Sequence, residues 1–351
     1  MKKVKVEFIN ITKKFNQTLA VNNVSCTFEA GSLTTLLGPS GCGKTTSLRL
    51  IAGLERATSG KILIDNEDVT LLPATDRDVS MVFQSYALFP HMNVLENVSY
   101  GLKMIKIPKE EYITKSLKTL ELVGLKEYEN RMPSEISGGQ QQRVAVARAI
   151  VLKPKVLLFD EPLSNLDAKL RRQVREDIRN LQQTLGVTTI YVTHDQEEAL
   201  AISDKVIVMN EATIAQEGAA KDLYIHPKTK FVANFIGDAN IISASIKEKK
   251  DNKYLINFSN IEISISSDLN LTNNISVSIR PEKIIINTNQ INNSLEGKVI
   301  TSSFVGNSYQ YTLSTPIGNL YVVSTDTSNF IKLNDEVFLS FDIDAITLLE
   351  D

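Results

Sequence analysis

From the start of the chain to about residue 235, short apolar runs alternate with longer amphipathic stretches. The runs at 33–37, 156–159, 189–192 and 205–209 are mostly apolar and rich in branched residues, which is typical of strands buried on both faces. A glycine-rich turn and a helical pattern follow the first of them. Buried strands separated by helices predict an α/β fold with a mainly parallel core sheet.

Two parts of this region follow other patterns. Over 4–8, apolar Val and Phe alternate with Lys and Glu, which predicts a half-exposed antiparallel strand near a sheet edge, in an antiparallel β subdomain. Between residues 89 and 154 the apolar positions follow a helical period, most clearly over 110–123 and 140–152. We interpret this stretch as a helical insertion.

The pattern changes again after about Gly237, where Asn, Ser and Ile dominate. Over 261–265, Ile alternates with Glu and Ser, which indicates a strand with one apolar face. Further short strands are predicted at 277–279, 298–304, 309–313, 320–323 and 337–341. We therefore predict a first domain over 1–235 and an all-β second domain of small barrels over 236–351.

Composition narrows the functions open to such a chain. The 351 residues are 42% hydrophobic, an ordinary proportion for globular cores. The chain has 38 Lys and Arg against 41 Asp and Glu, and its net charge is -3. Because this balance offers no broad attraction for phosphate backbones or anionic bilayers, we expect no nucleic-acid partner.

The two cysteines, Cys26 and Cys42, fit neither a disulfide framework nor a zinc site. Cys42 lies in a glycine-rich stretch where a crosslink would obstruct a ligand, so a reducing cytoplasm is expected. Charged residues interrupt the N-terminal segment, and no apolar run approaches the roughly 18 residues of a spanning helix. We expect a protein that is neither exported nor membrane-spanning. If it serves a membrane, it does so by docking on another subunit.

Residues 38–45, with the sequence GPSGCGKT, match G-x-x-x-x-G-K-[ST] in full, after a predicted strand and before a predicted helix over 45–52. Glycines let backbone N–H groups approach phosphate oxygens, and the helix N-terminus favours anions. Lys44 would reach the β- and γ-phosphates, and Thr45 would ligate Mg²⁺. We predict ATP and Mg²⁺ as cofactors, with a nucleotide site formed by Gly38, Ser40, Gly41, Cys42, Gly43, Lys44, Thr45 and Thr46.

Two carboxylates follow the predicted strand 156–159. Asp160 comes directly after four apolar residues, so the strand would place it at the carboxyl edge of the sheet, where nucleotides bind in open α/β folds. It suits the ligand shell of Mg²⁺. Glu161 would then face the γ-phosphate and orient or deprotonate the attacking water. The alternative for two adjacent acids is a solvated strand end.

Residues 137–140, Ser-Gly-Gly-Gln, are the most informative segment of the chain. Ser-Gly-Gly alone is common in loops, but here it precedes Gln-Gln-Arg and the strand that ends in Asp160. In this order, after the phosphate loop, the motifs resemble the signature and Walker B motifs of ABC-family ATPases. One departure is Ile136, where the family usually has Leu, and we expect this exchange of similar volume to matter little.

The resemblance covers residues 1 to about 235 and implies further roles. It makes Gln84 the glutamine that contacts Mg²⁺ and the attacking water, and His194 the switch histidine that holds the γ-phosphate. Asp167 ends the matching D-loop, and Phe15 falls where the family stacks an aromatic ring on adenine. The alternatives are a structural role for His194 and a place in the core for Phe15.

The resemblance also implies an assembly. Two ATPase domains of the family close head to tail, so Ser137 and Gly139 of one copy would contact the γ-phosphate held by Lys44 of the other. We expect a homodimer on two transmembrane permease subunits at the cytoplasmic face of the bacterial inner membrane, served by a periplasmic or extracellular solute-binding protein. The signature residues assigned to the nucleotide site are Ser137, Gly138, Gly139 and Gln140.

Two segments resemble importers in particular. Residues 84–92 look like the permease-facing loop of importers, and the alternative is internal packing of Tyr86, Leu88 and Phe89. The C-terminal part, with Ile-Arg-Pro-Glu at 279–282, resembles the OB-like TOBE domain of importers for sugars, polyamines, phosphonates and ferric iron. A regulatory or anion-binding role of the β domain is compatible with a function in an importer.

The predicted function is the ATP-hydrolysing subunit of a bacterial importer. Residues 94–102 and 235–240 resemble ferric-iron, polyamine or phosphonate importers more than sugar importers, and this resemblance makes ferric iron the preferred cargo. Spermidine or putrescine, a phosphonate or a sugar are the alternative solutes. The alternative class is a non-transport ABC ATPase of DNA repair or translation, which usually shows long coiled coils or tandem cassettes that this sequence does not contain.

Overall fold

The computed structural model describes residues 3–251, 253–259, 261–266, 274–291 and 293–350. The chain divides into two compact units, Met1–Ala220 and Lys221–Asp351. This division precedes residue 235 because Arg280 of the second unit donates hydrogen bonds to the backbone carbonyls of Tyr224, Ala233 and Ile236. No described helix is long and apolar enough to cross a membrane.

The first unit is an α/β structure. Its central sheet has the order β10-β9-β3-β8-β7-β6, and all neighbours in it are parallel except β9 and β10. The carboxyl ends of β3, β7 and β8 therefore meet at one edge. In chain order the elements are β1 (Val6–Phe15), β2 (Thr18–Phe28), β3 (Leu33–Leu37), α1 (Lys44–Ala52), β4 (Ser59–Ile64), β5 (Glu67–Asp68), β6 (Val79–Val82), α2 (Val94–Met104), α3 (Lys109–Leu122), α4 (Gly138–Ile150), β7 (Val156–Asp160), α5 (Ala168–Leu185), β8 (Thr188–Thr193), α6 (Gln196–Ile202), β9 (Lys205–Asn210) and β10 (Thr213–Gly218).

A second, antiparallel sheet has the order β2-β1-β4-β5. The strand expected over 4–8 is present as β1, which lies next to the edge strand β2 and pairs with both β2 and β4. Apolar and charged residues alternate in this strand because one of its faces, with Val6 and Phe8, is buried in the core. The antiparallel subdomain itself is confirmed.

The helical insertion is formed by α2, α3 and α4, which lie between β6 and β7 in the chain. Val98, Leu120 and Val144, one from each helix, are buried in a shared apolar cluster. The predicted helices 110–123 and 140–152 occur as α3 and α4, displaced by one or two residues. The displacement of α4 arises because Ser137 caps the helix, which begins at Gly138.

The second unit contains an all-β part, as predicted. It has two five-stranded antiparallel sheets, with the orders β13-β12-β11-β14-β20 and β15-β19-β16-β17-β18, around a common apolar core. The predicted strands at 277–279, 298–304, 309–313 and 320–323 lie within β14, β16, β17 and β18. The described elements are α7 (Ala220–Ile225), α8 (Lys230–Phe235), β11 (Asn240–Lys250), β12 (Lys253–Phe258), β13 (Ile261–Ser266), β14 (Asn274–Ile279), β15 (Ile285–Asn287), β16 (Leu295–Phe304), β17 (Tyr309–Thr315), β18 (Gly318–Ser324), β19 (Glu336–Ser340) and β20 (Ile346–Leu349).

Candidate functional site

The loop between β3 and α1 depends on glycine. Gly41 and Gly43 have φ values of 82° and 105°, a backbone region that residues with a Cβ rarely adopt. At Gly43 a Cβ would also lie 2.3 Å from the carbonyl oxygen of Ala20, so only glycine fits. No side chain caps the start of α1, which leaves its first N–H groups available to an anion.

Lys44 places an ammonium group inside this loop. The residue is 5% exposed, and its Nζ donates hydrogen bonds to the carbonyl oxygens of Gly38 at 2.7 Å and Pro39 at 2.9 Å. Both acceptors are neutral. A phosphate oxygen would be a stronger partner, because hydrogen bonds between charged groups are roughly twice as strong as those between neutral ones. The loop is therefore suited to binding an anion.

The other predicted loop residues contribute mainly through their backbone. Ser40 and Gly41 are exposed, Cys42 is buried, and Thr46 is half-buried in the first turn of α1. The Cys42 thiol is free, and burial raises its pKa, so the thiol is neutral. Cys42 thus brings no charge to the loop.

Asp160, at the end of β7, lies beside Thr45. The Thr45 hydroxyl donates a hydrogen bond to Asp160 Oδ1 at 3.3 Å. Asp160 is 8% exposed, and burial raises the pKa of its carboxyl, an effect that the Thr45 hydrogen bond partly offsets. One carboxylate and one hydroxyl are oxygen ligands that suit Mg²⁺, which takes its remaining ligands from phosphates and water. In the part of the chain that the structure describes, no three His, Cys, Asp or Glu side chains cluster as a metal site.

Asp160→Asn is expected to stabilise the nucleotide-free protein while abolishing Mg²⁺-dependent hydrolysis. Because the folded protein raises the pKa of this carboxyl, its contribution to stability is greatest below its ordinary pKa and is lost as pH rises through the raised value. At neutral pH the substitution removes a buried charge and should raise the unfolding temperature.

Thermal unfolding between about pH 3 and pH 8, a range that starts below the ordinary Asp pKa of about 3.9, measures this effect. The gap between Asp160→Asn and the wild type should close towards the acid end. Asp344→Asn, at an exposed position, is the control and should leave the whole curve unchanged. A variant less stable than the wild type at neutral pH would contradict the argument.

Glu161 follows in an unusual backbone conformation. Its φ is 44°, although it is not glycine, and its N–H donates to the carbonyl oxygen of Val192 at 3.0 Å. Its Oε2 lies 3.2 Å from Nδ1 of His194, and the two side chains are 22% and 58% exposed. Strained backbone of this kind is concentrated at functional sites. The structure thus brings together the acid and the histidine that the motifs singled out.

The candidate Gln84 is linked to the same group of residues. Its Nε2 donates to the Ser164 hydroxyl at 3.1 Å, and that hydroxyl donates to the carbonyl oxygen of Glu161 at 3.0 Å. Asn165 Nδ2 donates to the backbone carbonyl of Gln84 at 3.1 Å. Ser164 and Asn165 were not among the predicted site residues. They belong to the segment 164–167, Ser-Asn-Leu-Asp, which resembles the D-loop, and this was the signal that could have identified them.

The signature residues form the start of α4. Ser137 caps this helix, since its hydroxyl accepts from Gln140 N at 3.4 Å while Ser137 N donates to Gln140 Oε1 at 2.8 Å. A Cβ on Gly139 would lie 2.8 Å from a methyl carbon of Leu170, so glycine allows α4 to approach α5 closely. No described hydrogen bond joins this segment to the loop 38–45 of the same chain.

Comparison with known proteins identifies the family. Residues 21–164 match the family model for ABC transporters, and residues 277–349 match the TOBE domain. The chain is 47% identical to "Fe(3+) ions import ATP-binding protein FbpC" of Agrobacterium fabrum, over 98% of this chain and 98% of that protein. The chain belongs to the ABC transporter family. Its first unit is an ATP-binding cassette, which confirms the resemblance predicted from the motifs, including the ATPase activity of the family.

Other ABC proteins agree with this assignment. "Fe(3+) ions import ATP-binding protein FbpC 1" of Haemophilus influenzae is 54% identical over 79% of this chain and 84% of that protein. The structure of cbiO1 from Clostridium perfringens, part of the ABC transporter complex cbiONQ, covers 62% of this chain and 90% of its own, with a TM-score of 0.59 and 28% identity. The structure of an ATP-binding cassette, solved as a dimer bound to ADP and Pi, covers 61% of this chain and 98% of its own. Its TM-score is 0.55 and its sequence identity is 31%.

Two further candidates that the ABC resemblance supplied are Phe15, an exposed strand end, and Asp167, a helix cap. Phe15 ends β1 with 43% of its surface exposed and Lys13 Nζ 4.4 Å from its ring centroid, so it is not a core residue. An exposed ring beside a cation offers a flat face for a nucleotide base. Asp167 caps α5, accepting a hydrogen bond from the N–H of Leu170 at 3.0 Å.

A hydrogen-bond network beside the segment that carries His194 was not predicted. Glu198, 4% exposed, accepts hydrogen bonds from the hydroxyls of Tyr191 and Thr193, and burial raises the pKa of its carboxyl. Asp195, the N-cap of α6, accepts from the Glu198 N–H at 3.0 Å and pairs with Arg171 at 3.3 Å. These contacts fix the segment that carries His194. The hydrophobic pattern contained no sign of them, because a buried Glu breaks that pattern.

Proposed function

We propose that this chain is the ATP-hydrolysing subunit of a bacterial importer of ferric iron. The observation that supports the cargo is the near full-length similarity to proteins named for Fe(3+) import, in both the cassette and the TOBE region. Polyamines, phosphonates and sugars are the competing solutes.

In this proposal the loop 38–45 holds the triphosphate. Its N–H groups and Lys44 bind β- and γ-phosphate oxygens, so Lys44 exchanges two carbonyl partners for anionic ones. Thr45, Asp160 and Gln84 are the residues that would hold Mg²⁺. When bound, Mg²⁺ supplies positive charge that offsets the charge of the phosphate oxygens.

Glu161 and His194 complete the site. Glu161 orients the attacking water and accepts its proton, which is the role that a positioned carboxylate performs in general base catalysis. His194, at 3.2 Å from Glu161 and largely exposed, donates a hydrogen bond to the γ-phosphate. The strained backbone at Glu161 and its hydrogen bond to Val192 hold the carboxylate in this place.

A second copy of the chain supplies the remaining contacts. Ser137 and Gly139 at the start of α4 would meet the γ-phosphate held by Lys44 of the other copy, where the helix N-terminus favours an anion. The resulting head-to-tail homodimer would dock on two permease subunits at the cytoplasmic face of the membrane, and a solute-binding protein would deliver the cargo. Hydrolysis removes the γ-phosphate between the copies and lets them separate.

The cargo is tested by reconstituting the chain with its permease pair and solute-binding protein in vesicles. We expect Fe³⁺ to stimulate ATP hydrolysis several-fold, and spermidine, a phosphonate and maltose to leave it at the basal rate. Glu161→Gln vesicles control for background hydrolysis. Stimulation by one of the other solutes would contradict the iron assignment, whereas nucleic-acid-stimulated hydrolysis would favour the non-transport class.

A further inference from the structure

The loop 83–93, between β6 and α2, contains two consecutive residues in the left-handed backbone region. Tyr86 and Ala87 have φ values of 60° and 47°. This region is unfavourable for any residue with a Cβ, so such a pair persists only where surrounding contacts hold it. Tyr86 is 6% exposed and its ring lies in the apolar core of the unit, while Ala87 is exposed. The backbone thus reverses around an anchored ring.

The contact that holds this reversal comes from α4. Arg148 Nη1 donates to the carbonyl oxygen of Ala87 at 2.7 Å, and Nη2 donates to the carbonyl oxygen of Tyr86 at 2.9 Å. Its guanidinium carbon also lies 5.4 Å from the ring centroid of Phe89. A planar fork that binds two neighbouring carbonyls and stacks on a ring is an arrangement that Arg provides and Lys does not.

The same loop is joined to the catalytic group at its start. Gln84, two residues before Tyr86, exchanges hydrogen bonds with Ser164 and Asn165, and Ser164 contacts Glu161. At the other end, buried Asn97 donates to the carbonyl oxygens of Phe89, Met92 and Asn93, at 3.1, 2.9 and 3.0 Å. Between these two attachments, Arg148 is the described side chain whose hydrogen bonds hold the strained pair.

We propose that Arg148 is a positioning residue for ATP hydrolysis. By holding Tyr86 and Ala87 in the left-handed region, it fixes the place of Gln84, which the Ser164 hydroxyl links to Glu161. It also ties that place to the helix that begins with the signature residues. Movement of α4 against a second copy would therefore move Gln84. This inference rests on the proposed function, in which Gln84 and Glu161 act on the same nucleotide.

Arg148→Lys tests the proposal because it keeps the charge and removes the fork. We expect kcat for ATP hydrolysis to fall roughly tenfold or more, as displaced positioning groups do. KM for ATP should stay near the wild-type value, because the loop 38–45 is untouched. The unfolding temperature is measured alongside, so that a loss of folding is not mistaken for a loss of positioning.

A second substitution separates positioning from stability. Ala87→Gly in the Arg148→Lys background should restore most of kcat, since glycine adopts the left-handed region without strain. Ala212→Gly in the same background is the matched control, because Ala212 has a φ of 65° in the turn between β9 and β10. It should restore nothing.

Three results would overturn the proposal. They are an unchanged kcat in Arg148→Lys, no restoration by Ala87→Gly, and equal restoration by Ala87→Gly and Ala212→Gly. A wild-type chain that does not hydrolyse Mg²⁺–ATP would instead overturn the proposed function. The two failures are distinguishable, because a failed proposed function already shows in the ATPase rate of the wild type, before any variant is measured.

Discussion

Glu161→Gln is expected to slow ATP hydrolysis by a factor on the order of 10²–10⁴, the contribution of a positioned general base, while ATP binding persists. The amide has nearly the shape of the carboxylate but cannot accept the proton of the attacking water. The strained backbone at φ 44° and the hydrogen bond to Val192 do not involve the side chain, so the site should keep its geometry. With hydrolysis blocked, ATP-bound dimers should accumulate, as measured by light scattering on size-exclusion chromatography.

Glu211→Gln is the matched control for this change. Glu211 is an exposed glutamate with a φ of 45°, in the turn between β9 and β10 and apart from the described site contacts. It should hydrolyse ATP at the wild-type rate and stay monomeric under turnover. Near-normal hydrolysis by Glu161→Gln would remove Glu161 from the catalytic role, and a purely monomeric variant in excess ATP would count against the dimer.

The nucleotide site could be predicted because its chemistry demands a local order of residues. The loop 38–45 needs glycines at fixed spacing to let the backbone approach phosphate, and β7 is apolar up to Asp160 because parallel strands are buried on both faces. Both signals lie within a few consecutive residues. Adjacent parallel strands then place Asp160 and the segment after Thr193 at one edge of the sheet.

Contacts between distant segments could not be predicted in this way. The interior place of β1 depends on its pairing with β4, which no local pattern specifies. The left-handed backbone at Tyr86, Ala87 and Glu161 leaves no trace in residue type, since none of them is glycine. Each is held by a contact from elsewhere in the chain, so only the folded structure reveals it.

Ser137→Arg is expected to abolish ATP hydrolysis while leaving nucleotide binding by the monomer largely intact. The described hydrogen bonds of Ser137 lie within the first turn of α4, so we expect the loop 38–45 to keep its shape. In the dimer, the long cationic side chain would occupy the space of the γ-phosphate held by the other copy. Binding of a fluorescent ATP analogue and the rate of phosphate release measure the two effects.

Asn93→Arg controls for the lost cap and the added bulk. Asn93 caps α2 through the same reciprocal arrangement, with Glu96 in the place that Gln140 has for Ser137. Losing either cap should cost about 0.5–2 kcal/mol of stability. Asn93→Arg should nevertheless hydrolyse ATP at a near wild-type rate in the absence of permease. Equal turnover by the wild type and Ser137→Arg would contradict the composite site.

Mixing two inactive variants tests the composite site most directly. Ser137→Arg retains Lys44, and Lys44→Ala retains Ser137, so a dimer of one copy of each has one site in which both groups are intact. In a twofold dimer, equal mixing should then restore up to about a quarter of the wild-type rate if the two sites act independently. Sites complete within single chains would stay inactive in every mixture, because each chain carries a defect of its own. The rate measured against the mixing ratio, with a maximum at equal amounts, therefore distinguishes shared sites from separate ones.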